Sequence, residues 1–100
     1  MIHTTYPQVI EKVLSTCDKY IEEKCSAKQL HGIIIWAEDY IVNFEEKDLR
    51  NFFTIIEGDI DYIRVMANET DFEYRDIPEI ENREKMLQVI SKIKEKLLSS

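Results

Sequence analysis

Apolar residues recur at three- and four-residue steps along most of this chain, and four stretches carry the rhythm. In the first, Val9, Ile10, Val13, Leu14, Cys17, Tyr20 and Ile21 fall on one face of an α-helix. Pro7, after Thr5 and Tyr6, suits a first helical turn because its missing N–H has no bond to make there. A helix is therefore expected over about residues 7 to 24. Ser26 and Gln29 form a capping-box pair, each side chain placed to satisfy a backbone N–H that the helix start leaves orphaned. The second helix should begin near Ala27 and bury Leu30, Ile33, Ile34, Ala37, Tyr40 and Ile41, with Ile35 and Trp36 widening the stripe. Three successive isoleucines admit a strand, but the AEDYIVN that follows favours helix.

Asn43 or Asp48 can open the third helix, whose apolar face comprises Leu49, Phe52, Phe53, Ile56, Ile60, Ile63 and Ala67. Gly58 lies inside it and costs a helix interior about 1 kcal/mol relative to alanine. It marks a kink, a close helix contact or a break into two shorter helices. From Asn68 to Ile77 the rhythm fails, and Asn68, Thr70, Asp71 and Asp76 are turn and cap formers leading to Pro78. The last helix should start at Pro78 or Glu79 and reach Leu98, burying Met86, Leu87, Ile90, Ile93, Leu97 and Leu98, with lysines late, where the helix dipole favours cations. The pattern predicts an all-α fold, a compact bundle of four helices, or five if Gly58 breaks the third.

Length and composition agree with a single helical domain over residues 1 to 100. One hundred residues, 44% of them hydrophobic, with two glycines and two prolines, make one core and no low-complexity tract. The apolar run from Gly32 to Ala37 is far short of the roughly 20 residues that cross a bilayer. MIHTTYPQ has neither a basic nor an apolar leader segment, so a cytoplasmic protein is expected. Cys17 and Cys25, read as one helix, stand about 12 Å apart along its axis, beyond the reach of a disulfide. Free thiols suit a reducing compartment.

The net charge of −7 changes the picture once it is located. From Glu57 to Glu81 nine acids (Glu57, Asp59, Asp61, Glu69, Asp71, Glu73, Asp76, Glu79 and Glu81) face only Arg64 and Arg75, and the rest of the chain is neutral. Such a block repels nucleic acid and anionic membrane and steers a basic protein partner inward. Tyr62, Phe72 and Tyr74 lie among the acids, and aromatics of this kind anchor protein interfaces. The expected partner-binding surface comprises Asp59, Asp61, Tyr62, Glu69, Asp71, Phe72, Glu73, Tyr74 and Asp76. The bland alternatives are a solvated acidic loop, Tyr62 in the core, and Phe72 as a loop pin.

Catalytic and metal chemistry find little support. A calcium loop beginning at Asp59 would need an acid or amide where Ile63 stands and glycine where Arg64 stands. Glu57 and Asp61, four apart on one helix face, could share a divalent cation with Asp39 or Glu38, but such pairs usually face solvent, and no metal is expected. GDIDYI is similar to the serine-bearing motif of acyl carrier proteins, yet Tyr62 stands where the serine is required, so no prosthetic group or other cofactor is expected. His31 has no nucleophile in a recognisable motif with it and reads as a surface or satisfied interior residue. There is no glycine-rich phosphate loop, no Cys-x-x-Cys and no His-x-x-x-His, so a non-catalytic protein is expected.

LHGIIIWAEDYIV followed by KDLRNFFTIIEGDIDYI resembles the small bacterial immunity proteins of contact-dependent inhibition and related polymorphic toxin systems. The matching positions are Gly32, Trp36, Ala37, Leu49, Asp59 and Asp61. The chain departs from the nuclease-colicin immunity proteins, whose third helix carries a paired-tyrosine-proline motif, because Ile63 and Arg64 follow Asp61 and Tyr62 here. That docking mode is not carried over. The resemblance implies an inhibitor that binds a cognate basic toxin, frequently a nuclease, and blocks its active-site cleft or excludes its substrate; sequence leaves the oligomeric state open, with a monomer favoured. An acidic adaptor or a phage-type inhibitor of another basic protein, and a carrier-like or small enzymatic domain, are the alternatives.

Overall fold

The computed structural model describes residues 4 to 67 and 77 to 99. Four helices are present: α1 (Pro7–Ile21), α2 (Ala27–Tyr40), α3 (Lys47–Ala67) and α4 (Glu79–Leu98), with a single 3₁₀ turn (Phe44–Glu46) leading into α3. α1 packs on α2, α2 on α3, α3 on α4, and α4 back on α1, which closes the all-α bundle. Among the described residues there is no strand, and no helix is long and apolar enough to cross a membrane.

The helical stripes meet in one core. Val9, Ile10, Val13 and Cys17 of α1, Leu30, Ile34 and Ala37 of α2, Phe53, Ile56 and Ile60 of α3, and Met86, Ile90, Ile93 and Leu97 of α4 are all buried. Phe53 is wholly interior, whereas Trp36 and Phe52 pack against the core from its edge. Ile41, Ile77 and Val89 are also buried. Tyr40 and Leu98, expected inside, are exposed, and Ile21 is partly so. Each is the last residue of its helix. Tyr40 instead stacks on Trp36, ring centroids 5.2 Å apart, and meets the edge of Tyr6 at 6.0 Å.

Helix ends follow local chemistry with two corrections. The Ser26 and Gln29 capping box forms, the Ser26 hydroxyl accepting from Gln29 N at 3.1 Å and Gln29 Oε1 from Ser26 N at 2.8 Å. Asn43 does open a helical segment, its side chain accepting from Glu45 N, but this is the 3₁₀ turn, and α3 begins at Lys47. α1 stops at Ile21, not near residue 24. Glu23 adopts a left-handed φ of 63°, and Lys24 N donates to Lys19 O at 2.7 Å, which turns the chain away. Cys17 and Cys25 therefore do not share a helix. Both are free thiols, and Cys25 Sγ folds back to donate to Thr16 O at 3.6 Å.

The second correction is at Gly58. α3 runs unbroken through it, so the five-helix alternative does not occur. A Cβ built on Gly58 meets nothing within 4 Å, and its φ is not positive. Neither a close helix contact nor a special backbone conformation accounts for the glycine.

Long-range polar contacts tie the helix ends together. Glu79 Oε1 accepts from Ala27 N at 2.7 Å, so an acid in the first turn of α4 caps α2. The Arg83 guanidinium donates to Ile21 O at 2.9 Å and Tyr20 O at 3.5 Å, capping the carbonyl end of α1. Tyr6 Oη accepts from Asn43 N at 3.0 Å and Val42 N at 3.3 Å, and Lys94 bonds Asp18 at 2.6 Å.

Candidate functional site

α3 is amphipathic toward the core, but its outer side is built in an unusual way. From Asn51 to Met66 every exposed position is uncharged: Asn51, Thr54, Ile55, Gly58, Tyr62, Val65 and Met66. Every charged position in that span, Glu57, Asp59, Asp61 and Arg64, is half-buried. A surface helix ordinarily places its charges farthest from the core. Here the outermost line is a stripe of apolar and small residues, with Ile55 63% and Tyr62 66% exposed, and the carboxylates stand along its flanks.

Each flank is held by a neighbouring helix. Toward α4, Asp59 takes Lys92 Nζ at 3.4 Å. Toward α2, Glu57 Oε1 lies 3.1 Å from His31 Nε2. On α3 itself, Arg64 donates to Asp61 Oδ1 from Nε at 2.9 Å and from Nη2 at 2.8 Å. With Glu79 capping α2, four acids of the charged block are engaged within the fold. Their fields are partly neutralised where they stand, which shifts weight from the carboxylates to the apolar stripe between them.

Of the nine residues expected at a partner surface, the structure places three on this side of α3: Asp59, Asp61 and Tyr62. Glu69, Asp71, Phe72, Glu73, Tyr74 and Asp76 lie outside the described residues. Tyr62 is not a core residue. Sequence reading missed Ile55, Val65 and Met66, because an isoleucine, a valine and a methionine in a helical run look like core, and only burial separates the two faces. It also missed Gly58 as a member of the outward line, although steps of three and four from Ile55 to Gly58 to Tyr62 were visible.

The remaining candidate chemistry is muted. His31 is 2% exposed and bonded, which is the satisfied interior reading. The carboxylate pair Glu57 and Asp61 meets His31 rather than Asp39 or Glu38. Burial pushes the Cys17 thiol up to about 12, with Lys94 opposing, and burial with Glu79 raises the Cys25 thiol. Neither is a thiolate near neutrality, so neither is primed as a nucleophile. A groove of about 700 Å³ between α1 and α2 is lined by Cys25, Gly32 and three lysines, Lys12, Lys19 and Lys24, with no histidine among the described residues that line it.

Fold and site together define an all-α bundle of four helices with an uncharged outward stripe set between acids. Comparison with protein-family models, curated proteins and solved structures finds no match to this chain.

Proposed function

We propose that this protein is a non-catalytic, protein-binding inhibitor: an immunity protein that neutralises a basic bacterial toxin, of the nuclease type, by covering its cationic cleft. The observation that carries the reading is the reversed polarity of α3, in which Ile55, Tyr62, Val65 and Met66 face outward and the acids flank them. Unpartnered apolar side chains at the centre of a patch and charges at its rim are the anatomy of a protein interface. The occupant is a basic protein because the chain carries −7, all of it from Glu57 to Glu81. The acids draw the partner in and set its register, while Tyr62 and Ile55 supply area that loses water on contact.

The test is retention of a partner from host extract by the intact protein, its identification by mass spectrometry, and binding of that partner after purification. A basic toxin encoded beside this gene, bound by the protein and silenced in a growth-rescue assay, is the expected result. Tyr62→Ala should weaken binding by roughly tenfold or more with helicity unchanged. A partner bound equally well by Tyr62→Ala and Ile55→Asp would remove α3 from the interface. A basic partner that is no toxin would transfer the same surface to the adaptor reading.

A further inference from the structure

One juxtaposition across the α2–α3 seam is separate from the partner-binding stripe, although it borders it. The His31 imidazole, on α2, is buried and directs Nε2 at Glu57 of α3, 3.1 Å from Oε1. One turn further along α3, Asp61 joins them, so one ligand atom from each of the three residues lies within 4.8 Å of the others. We infer that His31, Glu57 and Asp61 form a three-ligand site for a divalent transition cation of the zinc class, bridging α2 and α3.

The donor set selects the cation. One imidazole nitrogen and two carboxylate oxygens suit zinc-like ions, whereas magnesium and calcium take oxygen ligands throughout. Bonds of about 2.0–2.2 Å at a tetrahedral ion set neighbouring ligand atoms about 3.4 Å apart. The His31–Glu57 edge is already near that spacing. The third corner closes by rotation of Asp61, whose side chain is 42% exposed. Arg64 is the competing cation, but its Nε and Nη2 contacts to Asp61 both fall on Oδ1. The other oxygen of Asp61 is the one the metal would take, and the guanidinium would then orient the carboxylate from behind, as outer partners of metal ligands do. Three protein ligands leave a fourth position for water or for a donor atom from outside the chain.

The experiment titrates Zn²⁺ calorimetrically into chelator-treated full-length protein and follows Co²⁺ by its visible absorption. One equivalent per chain is expected, with a raised Tm and a Co²⁺ spectrum of low-symmetry, four-coordinate type. Glu57→Gln and Asp61→Asn should each weaken Zn²⁺ by roughly tenfold or more. Both side chains are part-exposed, so these variants should fold even if His31→Gln does not. His3→Ala is the control and should bind as the parent does. Absence of saturable binding, or a Kd that Glu57→Gln and Asp61→Asn leave unchanged, overturns the site. The readout is metal alone, so it does not depend on whether a toxin partner exists.

Discussion

Tyr20 and Cys17 show how single residues store and reveal energy in this core. Tyr20 is buried, and its hydroxyl makes no hydrogen bond of good geometry among the described residues, although Glu79 and Arg83 lie near enough to act on it. An orphaned buried hydroxyl costs about 1–3 kcal/mol, so Tyr20→Phe should leave the protein at least as stable, and up to about 1 kcal/mol more stable in urea unfolding. A loss beyond about 1 kcal/mol would mean that the hydroxyl has a partner after all. Cys17 makes the opposite kind of statement, through pH. Its native thiol is held up to about 12 by burial, against an ordinary value of 9.0. A raised native pKa contributes stability that is complete below pH 9 and drains away as pH climbs toward 12. The fall should be about 1.4 kcal/mol per pH unit above 9. The Tyr20 phenol and the Cys25 thiol are raised as well and act in the same sense. Urea midpoints at pH 8, 9.5 and 10.5 measure this, and Cys17→Ala, less stable at pH 8, should show a shallower fall. Parallel curves for the two proteins would assign the loss elsewhere.

At the scale of the element, α3 is the informative helix. Its inner face was largely legible: Leu49, Phe53, Ile56, Ile60 and Ile63 repeat at helical spacing and are buried, while Phe52 and Ala67, expected with them, are half-buried. Gly58 was the misleading residue, because a glycine in mid-helix usually has a local cause, and here the backbone is ordinary and the space around it open. Gly58→Ala should therefore stabilise the protein by about 0.5–1 kcal/mol, from helix propensity and a less free unfolded chain. Thermal unfolding checks it, and a lowered Tm would show that α3 needs the glycine. A glycine whose replacement improves stability yet lies on the outward line between Ile55 and Tyr62 belongs to whatever that line meets. Gly58→Trp, at a position where an added Cβ meets nothing within 4 Å, serves as a steric probe of the proposed interface.

For the whole molecule, the distribution of charge decides the reading of function. The block from Glu57 to Glu81 was plain in the sequence as a count, but its availability was not. Lys92 and His31 are 33 and 26 residues away from the acids they meet, and Ala27 is 52 from Glu79. Reversing Asp59, Asp71 and Glu73 to lysine should weaken binding of the purified partner by roughly tenfold and flatten its salt dependence, since steering charge is what salt screens. Equal affinity and an unchanged salt slope in a folded variant would confine the interface to the apolar stripe. Asp61 is left intact in that variant so that the metal test and the partner test do not share a mutation.

The sequence by itself determined the helices, because capping pairs, proline and apolar periodicity are properties of neighbours in the chain. It determined most of the core for the same reason: one stripe per helix leaves few ways to bury them all. Tertiary structure alone decided which apolar residues of α3 face out and which of its acids are spent on Lys92 and His31. It also decided that Glu57 meets His31, with Asp61 within 4.8 Å of the pair, rather than Asp39 or Glu38. These are contacts between residues distant along the chain, and no local pattern encodes the angle at which one helix is presented to the next.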